Sequence, residues 1–291
     1  MVAGQKTVLL DVQGLSVSFE SYHAFLEKRA SQVISDLSVQ VYAGEILAVV
    51  GSSGSGKSLL AHAIMGILPD NARTGGSMAY KGKELNREYR EALRGKEIAF
   101  IPQSVAYLDP LMRVGGQVRG IVGEKLRDAQ EKAFAKYRLD LQAANLYPFQ
   151  LSGGMARRVL ISTAVVTDAE LIIADEPTPG LDLAIAVQAL QDFREFADQG
   201  KGVLLITHDI DLALHVADRI SIFHSGTVIE TAQREEFSGD GEGLKHPYSR
   251  ALFRALPQNG FQLPYCPKCG ASCAVWEISR TEMRCACGSH D

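Results

Sequence analysis

No cysteine occurs before residue 266 of this 291-residue chain, so disulfide cross-links cannot hold its main body together. No apolar run approaches the ~18 residues of a membrane-spanning helix, so any role at a membrane is expected to come through a partner. Charge of neither sign dominates. With 30 Lys and Arg against 34 Asp and Glu, net charge −4, there is no whole-chain electrostatic footprint for nucleic acid, and no nucleic-acid partner is expected. The first residues, Met-Val-Ala-Gly-Gln-Lys, lack the charged and apolar regions of a signal peptide, and the expected compartment is the cytosol. A hydrophobic content of 46 % with 22 % charged residues is that of an ordinary globule with a sizeable core. The length admits one large α/β domain with an appendage, or two domains.

Glycine, by contrast, is concentrated where it carries meaning. Gly51-Ser-Ser-Gly-Ser-Gly-Lys-Ser58 fits G-x-x-x-x-G-K-[ST], the loop that wraps nucleotide phosphates. The apolar run Glu45–Val50 before it reads as a buried parallel strand, and Leu59–Met65 after it reads as a helix. Strand, glycine loop and helix point backbone N–H groups and a helix N-terminus at one anion. Gly51, Gly54 and Gly56 let the backbone curl close to the phosphates, with Ser52, Ser53, Ser55 and Leu59 completing the cradle. Lys57 is placed to reach the β- and γ-phosphates, and the Ser58 hydroxyl to ligate Mg²⁺. The expected ligand is a nucleoside triphosphate.

Before the loop, 7–12 and 15–19 read as short strands split by Gly14, residues 20–34 as an irregular polar connection, and 37–42 as a half-exposed antiparallel strand. Phe19 and Tyr22 precede the loop, where an aromatic could stack on a base or simply join the core. After the first helix, 66–76 is turn-rich, 77–80 and 97–101 read as strands, and 86–94 as a polar helix. Residues 104–150 show no strand pattern but helical spacing at 114–122 and 127–138, the mark of a helical insertion. Beyond it, helices at 153–166, 183–198 and 210–217 alternate with strands at 170–174 and 202–207. A hairpin at 219–230 follows, turning at Ser225-Gly226. Such alternation predicts a parallel sheet with helices on both faces.

Two further stretches carry chemistry. Glu170-Leu-Ile-Ile-Ala-Asp175-Glu176 is an apolar strand ending in two carboxylates, at the sheet edge where ligands gather. Asp175 is placed to hold Mg²⁺ beside Ser58, and Glu176 to orient and polarise a water for attack on the γ-phosphate. Leu151-Ser-Gly-Gly-Met155 opens a predicted helix with exposed N–H groups, a second anion-binding design.

Phosphate loop, Gln103 after a strand, L-S-G-G-M, Asp175-Glu176, Asp182 and Thr207-His208-Asp209 follow in the order of the ATP-binding cassette (ABC) ATPases, which residues 7–231 resemble. The resemblance implies an α/β fold: a P-loop NTPase (RecA-like) core with an antiparallel β subdomain, a helical insertion and a small Cys-rich C-terminal tail. It implies a cassette over 1–240, with a helical subdomain over about 104–155, and an importer-type extension over 241–291. Gln103 matches the glutamine that senses Mg²⁺ and the γ-phosphate, and His208 the histidine that contacts the γ-phosphate. Asp182 matches the loop crossing between subunits. Ser152, Gly153 and Gly154 match the signature that caps ATP held by the opposite subunit. Two cassettes are then expected to close head to tail around two ATPs. Phe19 most nearly matches the base-stacking aromatic.

Tyr107-Leu-Asp-Pro110, Val114-Gly-Gly-Gln117 and His246-Pro-Tyr-Ser-Arg-Ala-Leu252 are similar to segments of the oligopeptide, dipeptide and nickel importer ATPases. In that group the Met of L-S-G-G-M is typical of one of two paired, unlike subunits. The resemblance thus implies a second ATPase subunit, integral-membrane permease subunits, an extracytoplasmic solute-binding protein reached indirectly, and a place on the cytoplasmic face of the membrane. Two departures stand out. Pro179-Gly180 replaces the usual Thr-Ala, and Met155-Ala-Arg-Arg158 replaces M-x-Q-R, losing a glutamine.

In the tail, Cys266, Cys269 and Cys273 precede Cys285 and Cys287, a set suited to zinc or an iron–sulfur cluster. The importer group often ends in four cysteines that can hold such a cluster. Cys266, Cys273 and Cys287 resemble three of them, and Cys269 or Cys285 would complete the set. The expected function is ATP hydrolysis that energises import of peptides, nickel or a similar small solute. Two alternatives remain: an ABC-type ATPase serving a soluble, phosphonate-metabolism-like complex, and a cysteine tail acting as a redox module.

Overall fold

A computed structural model describes residues 6–23, 27–256, 259, 276–278 and 283–285. The apolar runs become its central sheet. Six strands lie side by side in the order β10 (Thr227–Gln233), β9 (Arg219–His224), β3 (Ile46–Val50), β8 (Gly202–Thr207), β7 (Leu171–Asp175) and β6 (Ile98–Ile101). All neighbours are parallel except the β9–β10 hairpin. The period of two sorts each strand between two cores. Ile46, Ala48 and Val50 face one, with α6 (Leu183–Asp198) and α7 (Ile210–Val216). Leu47 and Val49 face the other, with α1 (Lys57–Met65) and a second sheet. A strand buried on both faces needs apolar residues at every position, which is why these runs are continuous.

The second sheet is antiparallel, in the order β2 (Glu27–Tyr42), β1 (Val8–His23), β4 (Ala72–Tyr80) and β5 (Lys83–Glu84). Here three expectations are corrected. The polar stretch 20–34 is not an irregular connection: β1 and β2 pair along it from Val17 against Ile34 out to His23 against Glu27. Gly14, at φ 59°, marks a bulge in one long strand and does not separate two. Nor does the turn-rich stretch reach Gly76, because β4 begins at Ala72 and pairs with β1 on both sides of it, Gly75 opposite Ser16 and Ser77 opposite Gln13, with Gly76 at the register shift between. A Cβ on Gly76 would lie 2.4 Å from the Gly14 carbonyl oxygen, so glycine is what lets these two backbones meet.

The insertion is helical as expected. It comprises α3 (Val114–Arg119), α4 (Arg127–Lys136) and α5 (Gly153–Val165) around Val114, Phe134, Val159 and Leu160; α2 (Arg87–Leu93) lies outside it. The α3 helix stops three residues short of the predicted 122 because Gly120, at φ 50°, takes the chain into a 3₁₀ segment over 120–126. At its far end the buried Tyr137 hydroxyl donates to the Asp192 carboxylate of α6, a side chain that Lys136 also pairs with. Burial and that carboxylate together push the tyrosine pKa up.

Beyond the sheet, α8 (Pro247–Arg254) is fixed by the His-Pro-Tyr sequence itself. Glu230 accepts the backbone N–H groups of Lys245 and His246 at 2.6 and 3.0 Å. The His246 Nδ1 caps the helix by accepting from the Tyr248 N–H at 3.1 Å. The Tyr248 ring lies 4.6 Å from that of His224. Leu244, Phe253 and Leu256 join the same core as the central sheet. Phe253→Ala should therefore destabilise the chain by about 3–5 kcal/mol. Urea unfolding measures this, and a change under ~1 kcal/mol would mean that α8 does not belong to the core. A short hairpin, β11 (Trp276–Ile278) with β12 (Met283–Cys285), completes the described residues.

Candidate active site

The phosphate loop leaves the carboxyl end of β3 through a constriction. A Cβ on Gly51 would lie 2.2 Å from the Phe223 carbonyl oxygen, so only glycine passes there. Gly54 and Gly56 take φ 76° and 103°, the left-handed region that side chains avoid. Gly56 caps α1 with no side chain, so no capping oxygen occupies the first-turn N–H groups. Lys57, 5 % exposed, folds back along the loop and donates from Nζ to the Gly51 and Ser52 carbonyls at 2.8 Å each. Burial lowers its pKa, and the carboxylates of Glu176 and Asp175 act against that fall.

At the end of β7, Asp175 is 1 % exposed and accepts from the Ser58 hydroxyl at 3.0 Å. Burial raises its pKa to about 6 and Glu176 adds to the rise, while Ser58, Lys57 and Arg157 oppose it. Its second oxygen, Oδ2, is buried with no hydrogen-bond partner. A buried anionic oxygen left over beside a serine hydroxyl fits a hard, oxygen-seeking cation such as Mg²⁺.

Glu176 holds a positive φ of 46° with its N–H donated to the Ile206 carbonyl at 2.9 Å. Its carboxylate meets His208 Nδ1 with both oxygens at 2.8 Å. A cavity of about 370 Å³ lies between the loop residues Ser53, Gly54 and Gly56 to Leu59 on one side and Gln103 with Glu176 on the other.

Of the residues singled out in the sequence, the loop, Gln103, Asp175, Glu176 and His208 are thus gathered in one place. Phe19 is half-buried against the core of the antiparallel sheet and does not line the cavity. Ser152 and Asp182 cap α5 and α6, accepting from the Met155 and Ile185 N–H groups at 3.3 and 3.1 Å. They and Gly153 are exposed, and they too lie outside the cavity lining. A Cβ on Gly154 would lie 3.6 Å from the Gly180 carbonyl oxygen, so the signature turn and the loop before Asp182 adjoin. Cys266, Cys269, Cys273 and Cys287 fall outside the described residues, and of Cys285 only the backbone, opposite Trp276, is described. The sequence reading missed Arg157. This residue is 9 % exposed, in the field of Asp175 and Glu176, and its substitution for glutamine was the signal.

Comparison with known proteins places these features in company. A family model described as ABC transporter matches residues 34–179. The oligopeptide transport ATP-binding protein OppD of Lactococcus lactis subsp. cremoris is 34 % identical over 266 residues, covering 86 % of this chain and 76 % of that protein. The dipeptide transport ATP-binding protein DppD of Bacillus subtilis is 34 % identical over 278 residues, covering 88 % and 79 %. A solved structure of an ATP-binding subunit of an ABC transporter superposes with a TM-score of 0.66 at 27 % identity, over 79 % of this chain and 91 % of that one. A dimeric ATP-binding cassette in a post-hydrolysis state, bound to ADP and phosphate, shares the fold with a TM-score of 0.67 at 24 % identity, over 78 % and 99 %.

Proposed function

This chain belongs to the ABC transporter family, and from that membership we propose that it is the ATP-hydrolysing subunit of a membrane importer for peptides or a closely related small solute. The family makes it an ATPase. The cargo follows the relatives named for oligopeptide and dipeptide transport; nickel has no such support. The observation that carries the reading is the convergence of Lys57, Ser58, Gln103 and Glu176 on one cavity at the carboxyl edge of the sheet.

In this reading the loop N–H groups of Gly51 to Leu59 bind the triphosphate, and Lys57 exchanges its loop carbonyls for phosphate oxygens. Ser58, Asp175 and Gln103 would hold Mg²⁺, which would supply charge compensation to the phosphates. Glu176 orients a water in line with the γ-phosphate and takes its proton. His208 fixes that carboxylate and faces the γ-phosphate. Ser152, Gly153, Gly154 and Asp182 serve ATP bound by a second cassette, and two subunits close head to tail. Phe19 is the proposed base-stacking aromatic.

The division into a cassette over 1–240, helical subdomain about 104–155, and an extension over 241–291 is kept as part of the proposal. The packing of α8 makes the extension's first turns an integral part of the core. Zinc or iron–sulfur binding by the tail cysteines has no support in the described residues and takes no part in this reading. No helix among the described residues is long and apolar enough to cross a membrane, so attachment would be peripheral, through permease subunits.

Purification of the full chain from native membranes through an affinity tag tests the reading. The expected companions are multi-span membrane subunits and a second ATPase, with Mg²⁺-dependent phosphate release. Recovery with soluble enzymes alone would overturn the importer assignment in favour of the soluble-complex alternative, which the relatives do not favour.

A further inference from the structure

Arg157 is a buried cation in a place where the importer pattern has a neutral glutamine. It sits on α5, three residues beyond Gly154 of the signature turn, and is 9 % exposed. Its Nη1 crosses to the end of β6 and donates to the Pro102 carbonyl at 3.1 Å. Pro102 is the residue immediately before Gln103, which lines the phosphate cavity. Burial pushes the Arg157 pKa down, and the fields of Asp175 and Glu176, the two carboxylates of the site, act against that fall. The same two carboxylates act on Lys57, against the fall that burial imposes on its pKa. The neighbouring Arg158 turns the other way. It donates to Gly154 within its own helix and to the Tyr137 and Arg138 carbonyls at the end of α4. The two consecutive arginines therefore fasten α5 on opposite sides, one to the helical layer and one to the residue that links β6 to Gln103.

We propose that Arg157 is a positioning residue for Gln103: by holding the Pro102 carbonyl against α5 it sets the direction in which Gln103 enters the phosphate cavity, and joins that glutamine to the signature turn as one rigid unit. A charge-assisted hydrogen bond is roughly twice as strong as a neutral one, and Arg reaches further than Gln. The chain thus gains a firmer link at the cost of burying a charge that the site carboxylates stabilise. This rests on the reading of the site given above, so the test separates the two.

The experiment measures kcat and KM for ATP in the full chain purified with its partners, for Arg157→Met, Gln103→Ala and the double variant. Arg157→Met should lower kcat about tenfold with KM changed less than about twofold, the signature of a contact that acts on the chemical step. The double variant should be no slower than Gln103→Ala within about twofold, because the two residues act as a unit. Arg157→Lys should recover part of the loss, leaving kcat about threefold below wild type. Should Arg157→Met fail to fold, Arg157→Lys carries the same cycle, with an expected loss of about threefold that Gln103→Ala absorbs. Multiplying losses in the double variant, or a single-variant kcat within about twofold of wild type, would overturn the link. Ser58→Ala is the control: full turnover in that variant would overturn the reading of the site itself, whatever Arg157 does.

Discussion

Glu176→Gln should lower ATP turnover by about 10²–10⁴-fold, the range that a general base contributes, while ATP still binds. The amide keeps the side-chain volume and an oxygen for His208 Nδ1, which lies 2.8 Å from both carboxylate oxygens. What it loses is the capacity proposed for Glu176, to take a proton from the attacking water. The loop, Lys57 and Ser58 are untouched, so nucleotide affinity is retained, and the ATP-bound subunits should accumulate in the closed pair. Phosphate release and nucleotide retention in size-exclusion runs measure both halves of the expectation. Turnover within about tenfold of wild type would remove Glu176 from the role of base.

Asp175→Asn should separate stability from activity. The wild-type carboxyl is raised to about 6 from 3.8, chiefly by burial, so about two pKa units of ionisation cost are built into the folded state. That corresponds to about 3 kcal/mol. The sign is opposite to that of a salt-bridged aspartate. Between about pH 4 and pH 6 the folded chain holds a proton that the unfolded chain has released, so stability falls as pH rises through this window. Above it the full penalty stands. Asparagine removes the charge but places an unpartnered amide where Oδ2 is already unpartnered, which costs about 1–3 kcal/mol. The net expectation near pH 8 is a gain of about 1 kcal/mol, or roughly 2–4 °C in Tm without nucleotide. The gain should be gone by about pH 5 and reverse below it, because the wild-type penalty fades as pH falls towards 3.8 while the cost of the unpartnered amide does not. Mg²⁺-dependent hydrolysis should be lost at every pH. Thermal scans across pH, alongside phosphate release, check this. A variant less stable than wild type near pH 8 would contradict the burial cost.

The sequence was most legible where burial is complete. Residues 183–198 and 202–207 form α6 and β8 at the boundaries expected, because a helical stripe and a two-sided apolar run each permit one reading. The phosphate loop and the paired carboxylates were legible for another reason: their residue types have few other uses at that spacing. The outer arm of the antiparallel sheet was not legible. Glu20, Ala30, Ser31 and Gln32 show no apolar alternation, and their strand exists because a partner strand lies alongside. Arg157 could be seen as a departure, but only the packing of α5 on the end of β6 shows where its charge points.

The hairpin that evaded the sequence reading also bears on the phosphate loop. Val33 of β2 sits so close that a Cβ on Gly56 would lie 3.0 Å from its Cγ1 and one on Gly226 2.3 Å from its carbonyl oxygen, while Ser35 N–H donates to the Gly226 carbonyl at 2.8 Å. The two sheets share no ladder, yet they meet like the halves of a vice on either side of this bend. The phosphate loop is thereby clamped from outside by a layer that holds none of the phosphate or carboxylate machinery, and its shape is held by the grip of that outer jaw as well as by its own glycines.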